Sequence, residues 1–252
     1  MRMPEDVIEH LGKGKLHWKA GYSAHALAAT WHKAGGTPPQ VAKLLATNPH
    51  TAKATLVDAF FERSVDLGDG GRPSQTDILA VLRLPDHLAV AAVEGKVDES
   101  FGPLIGDWLT RPENGRQARE HRLKKLCDQL GVSEPSAALR YQLFHRSVSA
   151  LIEAKRYCAK DALLIVHSFS KKRTGFEDFI SFLNAIGMAN DGAMGQLYGP
   201  QHCQGISFYA GWVEDDCPAL SGAFQFQKQI EAFARQKRAF ADELIDWFGL
   251  EK

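Results

Sequence analysis

Thr76-Asp77-Ile78-Leu79-Ala80-Val81-Leu82-Arg83-Leu84-Pro85-Asp86-His87-Leu88-Ala89-Val90-Ala91-Ala92-Val93-Glu94-Gly95-Lys96 is the stretch that decides the fold. Two runs, Ile78 to Leu82 and Leu88 to Val93, are apolar at every position, so each reads as a strand covered on both faces. Between them, Arg83-Leu84-Pro85-Asp86-His87 carries the turn chemistry of a hairpin. A turn about Pro85-Asp86 places opposite each other the residues whose numbers sum to 171, and a two-residue or four-residue loop gives the same register. Asp77 then faces Glu94 with Cβ atoms roughly 5 Å apart. Lys96, two residues on, shares their face.

Two carboxylates at that spacing repel each other unless a cation intervenes. Paired acids with backbone carbonyls and waters suit octahedral Mg²⁺, and an adjacent ammonium can polarise a water or neutralise a developing phosphate charge. Acids at the ends of interior strands run against the usual exclusion of charge from the core.

Outward from the hairpin, Ala59 to Leu67 is aromatic and β-branched enough for a preceding strand, closed by Gly68-Asp69-Gly70-Gly71-Arg72-Pro73. Ser23 opens a helix to about Ala34, ended by Gly35-Gly36, and Pro38-Pro39 opens a second with Val41, Leu44 and Leu45. Downstream, Arg116 to Leu130 and Pro135 to Tyr157 read as helices separated by Gly131, and Asp161 to Phe169 as a buried strand. Phe176 to Ile186 reads as an amphipathic helix, Gly205 to Val213 as a strand and Phe226 to Phe248 as a long helix. The expected architecture is α/β (α+β), in one domain spanning 1–252 with its core at about 20–170 and an elaboration at 171–252.

The 252 residues are 44% hydrophobic, 24% charged and 10% aromatic, proportions of a globular chain. Thirty basic residues balance thirty acidic ones, so any contact with a polyanion must come from a local patch. No apolar run approaches the roughly 20 residues of a membrane helix, and the first residues turn acidic without an apolar signal region. The expected address is the cytoplasm, with no membrane partner. Cys127, Cys158, Cys203 and Cys217 stand 31, 45 and 14 residues apart, which is not the paired spacing of a zinc ribbon. No G-x-S-x-G, H-E-x-x-H or P-loop motif occurs, and Gly12-Lys13-Gly14-Lys15 lacks the glycine and hydroxyl residue a phosphate loop needs.

Asp77 at the head of one strand and Glu94-Gly95-Lys96 at the tail of the next resemble the metal site of the PD-(D/E)xK, or restriction-endonuclease-like, phosphodiesterase superfamily. The flanking order also resembles its αβββαβ core: a mixed sheet flanked by helices, here with an extra C-terminal strand and helix. The segment from Gly71 to Glu99 further resembles an uncharacterised bacterial family assigned to that fold. The resemblance implies Asp77 and Glu94 as ligands of Mg²⁺ (or Mn²⁺), Lys96 as the catalytic lysine that orients the attacking water, and Gln142 as a polar contributor from the following helix. Glu62 in the first strand is a further candidate. The acid often found on the first helix is absent between Ser23 and Ala34, and an extra helix stands between Lys96 and Gln142.

Gln142, His145, Arg146 and Ser149 fall on one helical face. Arg116, Arg119, Arg122, Lys124 and Lys125, with Arg111 and His121 near them, form the basic cluster expected to meet nucleic acid, DNA first, although Glu113, Glu120 and Asp128 are interspersed. His25, His32, His145 and His167 read as packing or surface histidines. Three functions stay open: a metal-dependent nuclease, a catalytically inactive protein of the same fold that binds nucleic acid or assembles with a partner or a second copy, and an enzyme acting on another phosphate ester.

Overall fold

A computed structural model describes residues 23–111 and 115–218. The chain divides into two units, Met1–Cys217 and Pro218–Lys252, and only the first is treated below. The helix expected at 226–248 lies outside the described residues.

The described unit is a mixed α/β fold built on one six-stranded sheet, flanked by helices on both faces. Its strands are β1 (Thr55–Val65), β2 (Ser74–Arg83), β3 (Leu88–Lys96), β4 (Asp161–Ser168), β5 (Leu197–Cys203) and β6 (Ile206–Glu214). They lie in the order β1-β2-β3-β4-β6-β5. β1 to β3 form an antiparallel meander, while β4 runs parallel to β3 and to β6. The helices are α1 (Ser23–Ala34), α2 (Pro39–Ala46), α3 (Ile105–Leu109), α4 (Arg116–Leu130), α5 (Tyr141–Arg156) and α6 (Phe176–Ala185).

The central strands carry unbroken apolar runs, Ile78 to Leu82, Leu88 to Val93 and Ala162 to Val166, because both faces are covered. Leu79, Val90, Ala92, Leu164 and Val166 point toward α5 and α6. Ile78, Ala80, Ala91, Val93 and Leu163 point to the other side, under Leu27 and Trp31 of α1 and Leu44 and Leu45 of α2. Gly95 permits the close approach of α1, since a Cβ there would lie 3.3 Å from both Leu27 and Ser23. α4 ends where Gly131 takes the left-handed conformation (φ 74°) that frees Val132 to hydrogen-bond the Cys127 carbonyl.

The hairpin register matches the sum of 171: Arg83 pairs with Leu88 and Ile78 with Val93, around a four-residue loop closed by a bond from the Leu84 N–H to the His87 carbonyl. Three expectations need correction. α5 begins at Tyr141 rather than Pro135, because Leu139 and Ala137 give their carbonyls to the N–H groups of Ile105 and Gly106 instead of to a helix. β1 starts at Thr55, four residues before Ala59, across a bulge between Leu56 and Asp58. β5 has no counterpart in the sequence reading. No helix of the described residues is long and apolar enough to cross a membrane.

Candidate active site

The meander brings three carboxylates into one row. Phe61 pairs with Ile78 and Arg63 with Thr76, so Glu62 falls opposite Asp77; the pairing of Ile78 with Val93 sets Glu94 next to Asp77 on the other side. Glu62 adopts a left-handed backbone (φ 51°), a conformation that costs a non-glycine residue on the order of 1 kcal/mol. Asp77 is anchored by the Gly95 N–H, which donates to its Oδ2 at 2.9 Å. A fifth of the Asp77 side chain reaches solvent, whereas Glu94 and Lys96 are almost fully buried.

Burying Glu94 needs compensation, and the side chains around it supply it. Lys96 Nζ donates to its Oε1 at 2.7 Å, Gln142 Nε2 to the same oxygen at 2.7 Å, and Arg146 Nε to Oε2 at 2.5 Å. Lys96 Nζ also donates to Gln142 Oε1 at 3.3 Å and lies 4.9 Å above the Phe101 ring. Gln142 and Arg146 stand one turn apart on α5, which crosses the same face of the sheet, so both reach down onto the strand ends. Arg146 bridges further, to Ser74 Oγ at 3.1 Å and Asp77 Oδ1 at 3.5 Å.

These contacts divide the acids. Burial alone would raise Glu94, but Arg146 and Lys96 outweigh it and hold the carboxyl at about 2. Burial, then the Glu94 charge, pushes Asp77 up to about 7. Glu62 rises to about 8 by burial and then by the neighbouring Asp77. His145, buried and beside Arg146, is held well below its ordinary value, and its Nδ1 lies 2.9 Å from Ser74 Oγ. Two of three acids in the row are thus pushed up to about neutrality or above, first by burial and then by the charge of their neighbours. Glu62, Asp77 and Glu94 offer hard oxygen donors, the type Mg²⁺ prefers, although their oxygens do not gather within 4.8 Å of one another as a ready-made ligand group.

Beside this row opens a cleft of about 780 Å³, lined by Gly71-Arg72-Pro73-Ser74-Gln75, Arg111, Arg119 and Arg122 and by Gln142, His145 and Arg146. Trp108 and Tyr141 form part of its wall, their rings stacked at 3.8 Å.

Asp77, Glu94, Lys96 and Gln142, singled out from sequence, thus come together at one place. The basic cluster does not act as a unit. Arg119 and Arg122 line the cleft, yet Arg122 is bound to Asp69 at 3.0 Å and to the Tyr141 hydroxyl at 2.6 Å, and Arg119 donates to the Arg111 carbonyl. Arg116 and Lys124 form exposed pairs with Glu120 and Asp128, and Lys125 donates to the Gly68 carbonyl. Arg146 is the residue the sequence reading did not assign to the site. Its spacing of four from Gln142 was the available signal.

Residues 1–217 match the family described as a domain of unknown function, DUF6946. The chain belongs to that family. No curated protein and no solved structure matches it. The DUF6946 match covers every element of the described unit and so includes each residue of the site.

Proposed function

We propose that this chain is a metal-dependent phosphodiesterase acting on nucleic acid, with Asp77, Glu94 and Lys96 at its centre. The observation that carries the reading is the convergence of those side chains with Gln142 at the ends of two interior strands, on the rim of a cleft containing arginines and aromatic rings. The order helix, three-stranded meander, helix and parallel strand supports a restriction-endonuclease-like core, with α3 and α4 inserted before α5.

Asp77 and Glu94, with Glu62, would hold Mg²⁺ or Mn²⁺. When bound, the ion lowers the pKa of an attacking water and offsets charge on the phosphate. Lys96 holds its ammonium against Glu94, where it orients that water and meets charge developing on the phosphoryl oxygens. Gln142 fixes Lys96 and Glu94 together by bonding both. Arg72 and Arg111, exposed at the cleft, offer phosphate contacts beside the Trp108 and Tyr141 wall.

One observation favours a second reading. Arg146 already neutralises Glu94 and touches Asp77, so the cluster balances its charge without a metal and suits a binding module that does no chemistry. Incubation of the purified chain with Mg²⁺ or Mn²⁺ and supercoiled plasmid, linear duplex, single-stranded DNA and RNA separates the two. Cleavage that chelator abolishes supports the enzyme. Binding without cleavage supports the module.

A further inference from the structure

At the opposite end of the sheet, three segments remote in sequence bring metal-ligating atoms together. Asp161 opens β4 and is paired with Ala89, seven residues and about 23 Å of strand from the pairing of Ser168 with Lys96. Its Oδ2 lies 2.7 Å from His87 Nε2 and 2.9 Å from His50 Nε2, so two imidazoles converge on one buried carboxylate oxygen. Among the described residues this is the one group of three or more histidine, cysteine or carboxylate ligand atoms, all within 4.8 Å of one another.

Each ligand is held by its own element. His87 sits in the four-residue hairpin loop that the Leu84–His87 bond closes. His50 follows α2 in a turn fixed by its N–H bond to Asn48 Oδ1 and by the buried Thr51 hydroxyl on the Leu45 carbonyl. Its ring stacks on Tyr209 of β6 at 5.9 Å. Asp161 is 2% exposed and carries no compensating lysine or arginine contact among its hydrogen bonds. The second nitrogen of His87, Nδ1, lies 2.8 Å from Asp86 Oδ1. An imidazole set between a buried carboxylate and an outer carboxylate is the arrangement that orients histidine ligands and raises their basicity. The His50 side is 46% exposed, which leaves an entry path and room for water on that flank.

We propose that His50, His87 and Asp161 form a divalent transition-metal site, separate from the carboxylate row and taking Zn²⁺, Co²⁺ or Ni²⁺ rather than Mg²⁺. Two imidazole nitrogens and one carboxylate oxygen are the donor set of open zinc sites, and nitrogen donors select against Mg²⁺. Bound metal would tie the hairpin loop, the turn after α2 and the head of β4 to one another.

The test is a Co²⁺ titration of the full chain followed by visible absorption, with displacement by Zn²⁺. The expected result is one equivalent of Co²⁺ with d–d bands that Zn²⁺ removes and an equal concentration of Mg²⁺ does not. His50→Ala, at an exposed position that threatens the fold least, and His87→Gln should each abolish the bands, and Asp86→Asn should weaken binding about 10–100-fold. Asp77→Ala should leave them unchanged, so the outcome does not depend on the phosphodiesterase reading. Absence of the bands, their survival in His50→Ala, or their loss to Mg²⁺ overturns the proposal.

Discussion

Arg146 Nε stands 2.5 Å from Glu94 Oε2 while the same guanidinium reaches Asp77 Oδ1 at 3.5 Å, so one side chain of α5 clamps the ends of β2 and β3. The contact joins stability to function, because removing the arginine leaves two acids facing each other under a helix. Breaking a buried pair from one side costs about 3–5 kcal/mol. Arg146→Met should lose stability of that order in urea unfolding, and Mn²⁺ should restore more of it in the variant than in wild type, since the ion then replaces the missing charge.

Asp77 gives a pH dependence with a definite sign. Its carboxyl titrates near 3.8 when unperturbed and at about 7 in the fold, so between those values the folded state binds more protons than the unfolded one. This group therefore withdraws stability as pH rises from about 4 through 7. Asp77→Asn, which keeps the shape without the charge, should gain on wild type across that window when both are compared without metal. Thermal melts from pH 5 to pH 8 check it; a constant difference between the two proteins would contradict the crowding of acids.

Gly95 separates Glu94 from Lys96 and lies under α1. A methyl group there meets Leu27 and Ser23 at 3.3 Å, tighter than ordinary packing. Gly95→Ala should cost about 1–3 kcal/mol. Because the Gly95 N–H also holds Asp77, the same variant should weaken Mn²⁺ binding in a calorimetric titration.

The arginines separate into those that reach the cleft and those that do not. Arg111→Ala or Arg72→Ala should lower affinity for duplex DNA and reduce the slope of log affinity against log salt by about one unit each. Arg116→Ala and Lys124→Ala, whose charges are spent in exposed pairs with Glu120 and Asp128, should leave both unchanged in fluorescence-anisotropy titrations.

Much of this arrangement was legible in the sequence. A turn centred on Pro85-Asp86 with an even loop length was enough to set Asp77 against Glu94, and Lys96 followed from the strand period. Gln142 needed the resemblance, because no local pattern says which face of α5 meets which strand end. Glu62 in the row depends on the β1–β2 register that runs unbroken from Val65 with Ser74 to Phe61 with Ile78, and the long turn between those strands does not reveal that register in the sequence. β5 was hidden by Tyr198-Gly199-Pro200-Gln201-His202, a polar stretch that only an edge strand tolerates. His50, His87 and Asp161 are separated by 74 and 111 residues in their pairs with the aspartate, so only the folded sheet brings them together.

Cleavage by wild type and Lys96→Ala, measured side by side with Mn²⁺ on duplex DNA, single-stranded DNA and RNA, tests the central claim most directly. Lys96 is asked to meet charge in the transition state and not to ligate, so its loss should lower the rate about 100-fold, near 3 kcal/mol, while Mn²⁺ still raises the melting temperature of the variant. Gln142→Ala should fall between the two. Equal rates in wild type and Lys96→Ala, or no cleavage of any of the three substrates, would contradict the phosphodiesterase account.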